Sequence, residues 1–305
     1  MNKINNLQRP SIEETISCIK NIQSLNLIDT DIDVIKDRLF ILFKGYVHIT
    51  PKDPYRSIYR GVPWPTKPNY ISDLSYPKPE YVKSYGRVNR PNESIFYGST
   101  SIQAIFHELK LKPGDKVALS KWQIQKPMFL NNIGYTYKCF KKLRSKRNLP
   151  SWSAIKANDT NKDEINIKVR EYFSNEFTKN IPQGQEYLYK VSIAIAEKHF
   201  RNNIFNGLLY PSIVMNAEAD NIALKTNFVD EYLAIEKVIY VKVIDIDKNN
   251  EYRYEVLTHA EEFTKSGEIN WAQKWMMNDN NVLIFKVEND RWVARDERGN
   301  IVDPL

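Results

Sequence analysis

Five short runs gather the residues able to do chemistry: Tyr59-Arg60-Gly61, Gly86-Arg87-Val88-Asn89, Phe96-Tyr97, His107-Glu108 and Tyr210-Pro211-Ser212. Each arginine offers a planar fork that meets a phosphate or carboxylate through two parallel hydrogen bonds, which a lysine ammonium does not reproduce. Glu108 is a lone carboxylate, suited to stabilising positive charge that develops in a transition state. Tyr97 presents an aromatic face on which a cationic ring can stack, worth roughly 0.5 to 2 kcal/mol. Taken singly, each has an ordinary structural reading: a surface glutamate on an amphipathic helix, an arginine paired at a strand end, a half-buried tyrosine, a serine that closes a turn.

Several chemistries are ruled out by spacing. The ten glycines are scattered so widely that neither GxGxxG nor the phosphate-binding P-loop can be written anywhere in the chain. A dinucleotide would therefore be held without the Rossmann fingerprint, which argues against hydride transfer. His107-Glu108 begins an HExxH zinc pattern, but Leu111 stands where the second histidine belongs. No GxSxG elbow accompanies the four histidines at 48, 107, 199 and 259.

A chain of 305 residues with 42% hydrophobic content can bury a sizeable core in one large or two modest domains. Two distant cysteines, Cys18 and Cys139, give no disulfide framework and no paired-cysteine metal site. Apolar runs fall short of the roughly 18 residues that cross a bilayer. The opening MNKINNLQRP carries no hydrophobic export segment, so a cytoplasmic protein without a membrane partner is expected. Net charge is +7, and Lys138, Lys141, Lys142, Arg144, Lys146 and Arg147 supply six positive charges in one stretch. That stretch reads as a solvated face or as a contact for RNA, DNA or another anionic partner.

The elements that must position these residues can be read from pattern. Ser11-Ile12-Glu13-Glu14 is a capping box, and Ile12, Ile16, Ile19 and Ile22 share a helix face. A second helix starts at Asp31 or Asp33, buries Val34, Ile35, Leu39, Leu42 and Phe43, and ends at Gly45. Prolines then forbid long elements up to about residue 85. Strands are expected over 55–62, 94–98, 117–125, 233–246, 252–257, 282–287 and 292–294. Helices are expected after Ser99-Thr100-Ser101, over 164–179 and 185–199, and around Trp271 and Trp275.

In their order along the chain the five runs resemble the RES domain, a bacterial family named for its Arg, Glu and Ser and represented by NAD-consuming toxins of toxin–antitoxin systems. Residues 103–109 resemble the family's alanine-rich helix with its central glutamate, and Asn221-Ile222-Ala223-Leu224 resembles the tail of its pattern. The likeness spans about 55–243. It departs at Tyr85, where a second glycine is frequent, and in a longer proline-rich approach to Arg60; a shifted alignment would put Arg56 in place of Arg60.

The resemblance implies an α+β fold with an ADP-ribosyltransferase-like split mixed β-sheet surrounded by helices. Its catalytic domain would occupy 48–247, with an insertion near 127–162, a helical N-terminal segment at 1–47 and a C-terminal extension at 248–305. It implies cleavage of the nicotinamide–ribose bond of NAD by a glycohydrolase or phosphorylase, acting as a growth-arresting toxin or defence effector. NAD would be a substrate, no metal would be needed, and a cognate antitoxin or inhibitor protein would be a partner. Glu108, Arg60 and Ser212 would be catalytic, while Tyr97, Arg87, Asn89 and Asn221 would bind substrate. Two other readings stand beside it: ADP-ribose transfer onto a specific macromolecule, and a non-catalytic nucleic-acid-binding module that uses 138–147.

Overall fold

The computed structural model describes residues 9–47, 55–147, 163–201, 204–248, 250–272, 282–288, 291–296 and 298–302. Its helices and strands run, in chain order, α1 (Ile12–Gln23), α2 (Ile32–Lys44), β1 (Ser57–Pro63), α3 (Ile71–Leu74), β2 (Phe96–Ser99), α4 (Ile102–Glu108), β3 (Lys116–Ile124), β4 (Leu130–Asn132) and α5 (Tyr137–Leu143). There follow α6 (Glu164–Phe177), α7 (Lys190–Phe200), β5 (Gly207–Pro211), β6 (Asp220–Leu224), α8 (Thr226–Tyr232), β7 (Leu233–Ile246), β8 (Tyr252–Ala260), β9 (Val282–Glu288), β10 (Arg291–Asp296) and β11 (Ile301–Val302). The fold is mixed α/β. Among the described residues no helix is long and apolar enough to cross a membrane.

The chain forms two compact units, each assembled from three segments: 1–52, 78–95 and 129–218 make a helical unit, and 53–77, 96–128 and 219–305 make a sheet unit. These boundaries differ from the expected division at 47 and 247. Residues beyond 248 add strands to the same sheet rather than a separate extension, because β8 continues the ladder from β7. The expected insertion contributes β4 and α5 to the helical unit; its residues 148–162 lie outside the described residues. Trp271 sits in irregular backbone rather than a helix, its indole donating to the Pro68 carbonyl at 2.7 Å; Trp275 lies outside the described residues.

In the helical unit, the Ser11–Glu14 capping box starts α1, and the Asp31 side chain caps α2 by accepting from the Asp33 amide at 2.7 Å. The buried stripe of α2 is Ile32, Ile35, Lys36, Leu39 and Leu42. Val34, expected inside, is 45% exposed, and Lys36 turns inward instead. The inward lysine is held by an ion network: its Nζ donates to Asp33 and, at 2.7 Å, to Glu197 of α7, while the Arg90 fork takes Glu197 at 2.5 and 3.0 Å and Asp33 at 3.0 and 3.3 Å. Hydrogen bonds from Lys36 and then Arg90 hold the Asp33 carboxyl down to about 2. This network fixes the loop that follows Gly86-Arg87-Val88-Asn89. The strands of this unit, β4 and β5, pair in parallel.

In the sheet unit nine strands lie in the order β11-β10-β9-β8-β7-β3-β1-β2-β6, every neighbouring pair antiparallel. Helix α4 packs on one face, where Ile105 and Phe106 join Leu119, Ile239, Val241 and Tyr254 in the core. It comes close because β1 carries Gly61 there: a Cβ at that position would overlap Ile105 Cγ2. One irregularity matters for the site. β1 pairs with β3 over seven positions and β2 with β6 over four, yet β1 and β2 meet at one, Tyr59 opposite Ser99. Beyond that bridge the ladder between them stops.

Candidate active site

Arg60 occupies the place where β1 and β2 part. Its Nη1 donates to the Tyr97 carbonyl at 2.5 Å, and its Nε is shared between the carbonyls of Leu74 and Ser75 at 3.1 Å each. A side-chain fork thus takes the Tyr97 oxygen at a point where the β1–β2 ladder makes no bridge. The guanidinium carbon lies 5.2 Å from the Phe96 ring centroid, and no carboxylate pairs with it among the described residues. Burial lowers its pKa to about 10, so it stays protonated at neutral pH. Nη2 has no hydrogen-bond partner among the described residues. Arg56, the alternative, is exposed at the start of the strand.

The faces of the sheet divide the expected residues. Side chains alternate along a strand; since Gly61 faces α4, Arg60 faces away from it, toward Phe96 and the end of α3. Tyr97, next to Phe96, therefore projects on the α4 face, as does Asn221, which stands opposite Ser99. Glu108 ends α4 on this same face and is solvent-exposed. Its Oε1 accepts a hydrogen bond from Asn221 Nδ2 at 2.6 Å. Tyr97, Glu108 and Asn221 thus share one face, while Arg60 reaches the backbone of Tyr97 from the other. Beside Glu108, His107 is half-buried with its ring 5.0 Å from Tyr252, and burial lowers its pKa.

Arg87, Asn89 and Ser212 belong to the helical unit. Arg87 donates from Nη1 to the Phe177 carbonyl at 2.7 Å and from Nη2 to the Lys179 carbonyl at 3.1 Å, and its guanidinium lies over Tyr189. It closes the C-terminal end of α6, where carbonyls lack helical partners. Asn89 is buried; its carbonyl accepts from the Gly86 amide and its Nδ2 donates to the Arg90 carbonyl at 2.9 Å, shaping the turn. Tyr210-Pro211 ends β5 rather than forming a turn. Ser212 follows it, fully buried, its carbonyl accepting from the Ala217 amide at 2.8 Å.

Two features of the site were not read from the sequence. Glu108 accepts from Asn221, a residue the resemblance makes a substrate contact, and the carbonyls around Arg60 come from α3, the residue after it and β2. The glycines carried the available signal: Gly61 admits α4, and Gly98 admits β1, since a Cβ there would overlap Ile58 Cγ2. No group of three or more potential metal-ligating side chains gathers among the described residues. No family model and no curated protein matches this chain.

Proposed function

We propose that the protein cleaves NAD at the nicotinamide–ribose bond, on an ADP-ribosyltransferase-like fold, as a growth-arresting toxin or defence effector. The observation that carries this reading is Arg60, a cation without an acidic partner among the described residues, pinned by carbonyls at the split between β1 and β2 with Nη2 uncommitted. Such a group suits a phosphate of a dinucleotide.

Nicotinamide leaves as a neutral molecule from a cationic glycoside, so the reaction needs no acid to protonate the leaving group, unlike ordinary glycoside hydrolysis with its two carboxyls. It needs an anion fixed near the ribose carbon as positive charge grows there. In this reading Glu108 is that anion, Asn221 fixes its orientation, and Tyr97 stacks on the pyridine ring. Arg87 and Asn89 are assigned to structure because their polar groups serve a helix end and a turn. Ser212, fully buried behind β5, is not given a reacting role.

Incubation with NAD and analysis of products tests the proposal. Nicotinamide release is expected from the native chain, with a loss of at least about 10²- to 10³-fold in Glu108→Gln, the scale for removing one transition-state electrostatic contact. Equal turnover in the two rejects Glu108; no release from the native chain rejects the reaction. Label carried from NAD onto a protein or nucleic acid would make the enzyme a transferase instead.

A further inference from the structure

The six cations of 138–147 fall into two kinds. Lys138 is ion-paired with Glu171 at 2.8 Å, and the Arg147 guanidinium lies over the Phe140 ring, 5.9 Å from its centroid. Lys141, Lys142, Arg144 and Lys146 are all exposed, and none has a carboxylate partner among the described residues. The nearby acid, Glu218, is taken by neutral donors, the Ser145 hydroxyl at 3.0 Å and the Lys146 amide. It anchors the backbone that carries the cations without neutralising them.

The bland explanation is complementarity to the helix dipole, since Lys141 and Lys142 stand in the last turn of α5. It does not reach Arg144 and Lys146, which lie beyond the helix. Arg144 also adopts the left-handed conformation, φ 54°, at a cap position that glycine fills without the roughly 1 kcal/mol penalty of a Cβ. Between 137 and 147, Tyr137 is the large apolar side chain left exposed, at 43%, and it stands four residues before Lys141 on the same side of the helix. Cys139 and Phe140 are buried, so α5 has no apolar face to insert into a lipid surface. Nor does the patch offer the apolar centre that anchors protein–protein interfaces.

We infer that this arc binds single-stranded nucleic acid, with Lys141, Lys142, Arg144 and Lys146 on phosphates and Tyr137 stacking on a base. This surface goes beyond the proposed reaction and stands whether or not NAD is cleaved. The test is fluorescence anisotropy on the full chain with a labelled oligothymidine of about 20 nucleotides, titrated at several salt concentrations. Four phosphate contacts at about 0.7 each give a log–log slope of about −3, hence about 50-fold weaker binding when salt rises from about 50 to 200 mM.

A variant with Lys141→Ser, Lys142→Ser, Arg144→Gly and Lys146→Ser should lose that slope. Its helical circular dichroism should be unchanged, since the four side chains are exposed and glycine suits position 144. Lys138→Ser, which removes an already paired cation, should leave most of the slope intact. Equal affinity of native and fourfold variant would overturn the inference. So would tighter binding to vesicles of phosphatidylserine and phosphatidylcholine, or to a polyglutamate peptide, than to the oligonucleotide.

Discussion

Arg60 holds a half-buried cation with carbonyl dipoles instead of a carboxylate around it. Removing water from a charge costs free energy that dipoles offset in part, which is why its pKa falls to about 10. An anion brought to Nη2 would offset more of that cost. ADP-ribose should therefore raise the melting temperature of the native protein, by about 2.7 kcal/mol of stabilisation at a hundred times its Kd. Arg60→Lys should abolish that gain and lower basal stability by about 1–3 kcal/mol, because an ammonium cannot satisfy the Leu74, Ser75 and Tyr97 carbonyls together. A thermal melt of both proteins with and without ADP-ribose checks this; an equal shift in both would place the anion elsewhere. At this scale Arg60 was legible through the run Tyr59-Arg60-Gly61 and the chemistry of its fork. The sequence could not reveal the use of Arg87, whose carbonyl partners lie about ninety residues away along the chain.

Elements with a long period were legible: the capping box of α1, the start and stop of α2 and the whole span of β7 match the pattern of apolar residues and caps. Short elements were legible only in part: β2 and α4 fall where a strand and a helix were expected, whereas β4 and α5 do not stand out. β4 has three residues, and α5 is a run of seven whose lysines hide the buried Cys139 and Phe140. On α2 the pattern misled because a charge is buried: Lys36 turns inward in place of Val34. Helix α6 has another such case. Glu176 is 4% exposed with Lys179 Nζ at 2.5 Å, and desolvation raises its pKa despite that lysine. A carboxyl whose folded pKa exceeds the unfolded value stabilises the fold fully below the unfolded value of about 4.5 and loses that contribution as pH rises through the folded value. Glu176→Gln should consequently stabilise the protein at pH 7 and flatten the decline in stability above pH 4.5. Urea denaturation at pH 5 and pH 8 measures it; a variant less stable than native at pH 8 would mean that the Lys179 pair outweighs the desolvation.

At the scale of the molecule, the chain passes five times between its two units, so neither is a contiguous stretch of sequence. The proline-rich texture after residue 47 and the reach of the family resemblance put cuts at 47 and 247, yet neither reports sheet order, which is set by pairing between strands far apart in the chain. β3, for example, lies between β1 and β7, and β7 carries β8 on its other edge. Tyr252, Tyr254 and Val256 of β8 and Leu283 of β9 fill the same core as Phe106 of α4. Deleting 248–305 would strip that core of large buried side chains, each worth roughly 1.5–3 kcal/mol of burial, and leave the fourteen-residue strand β7 as an open apolar edge. Summed over four such residues the loss exceeds much of the 5–15 kcal/mol that holds an ordinary domain together. The truncated chain is therefore expected to aggregate or to lose its cooperative melt, whereas a detachable extension would leave a monomer with near-native melting behaviour. Size-exclusion chromatography and a thermal melt of residues 1–247 distinguish the two, and a monodisperse, cooperatively melting product would show that the sheet can end at β7.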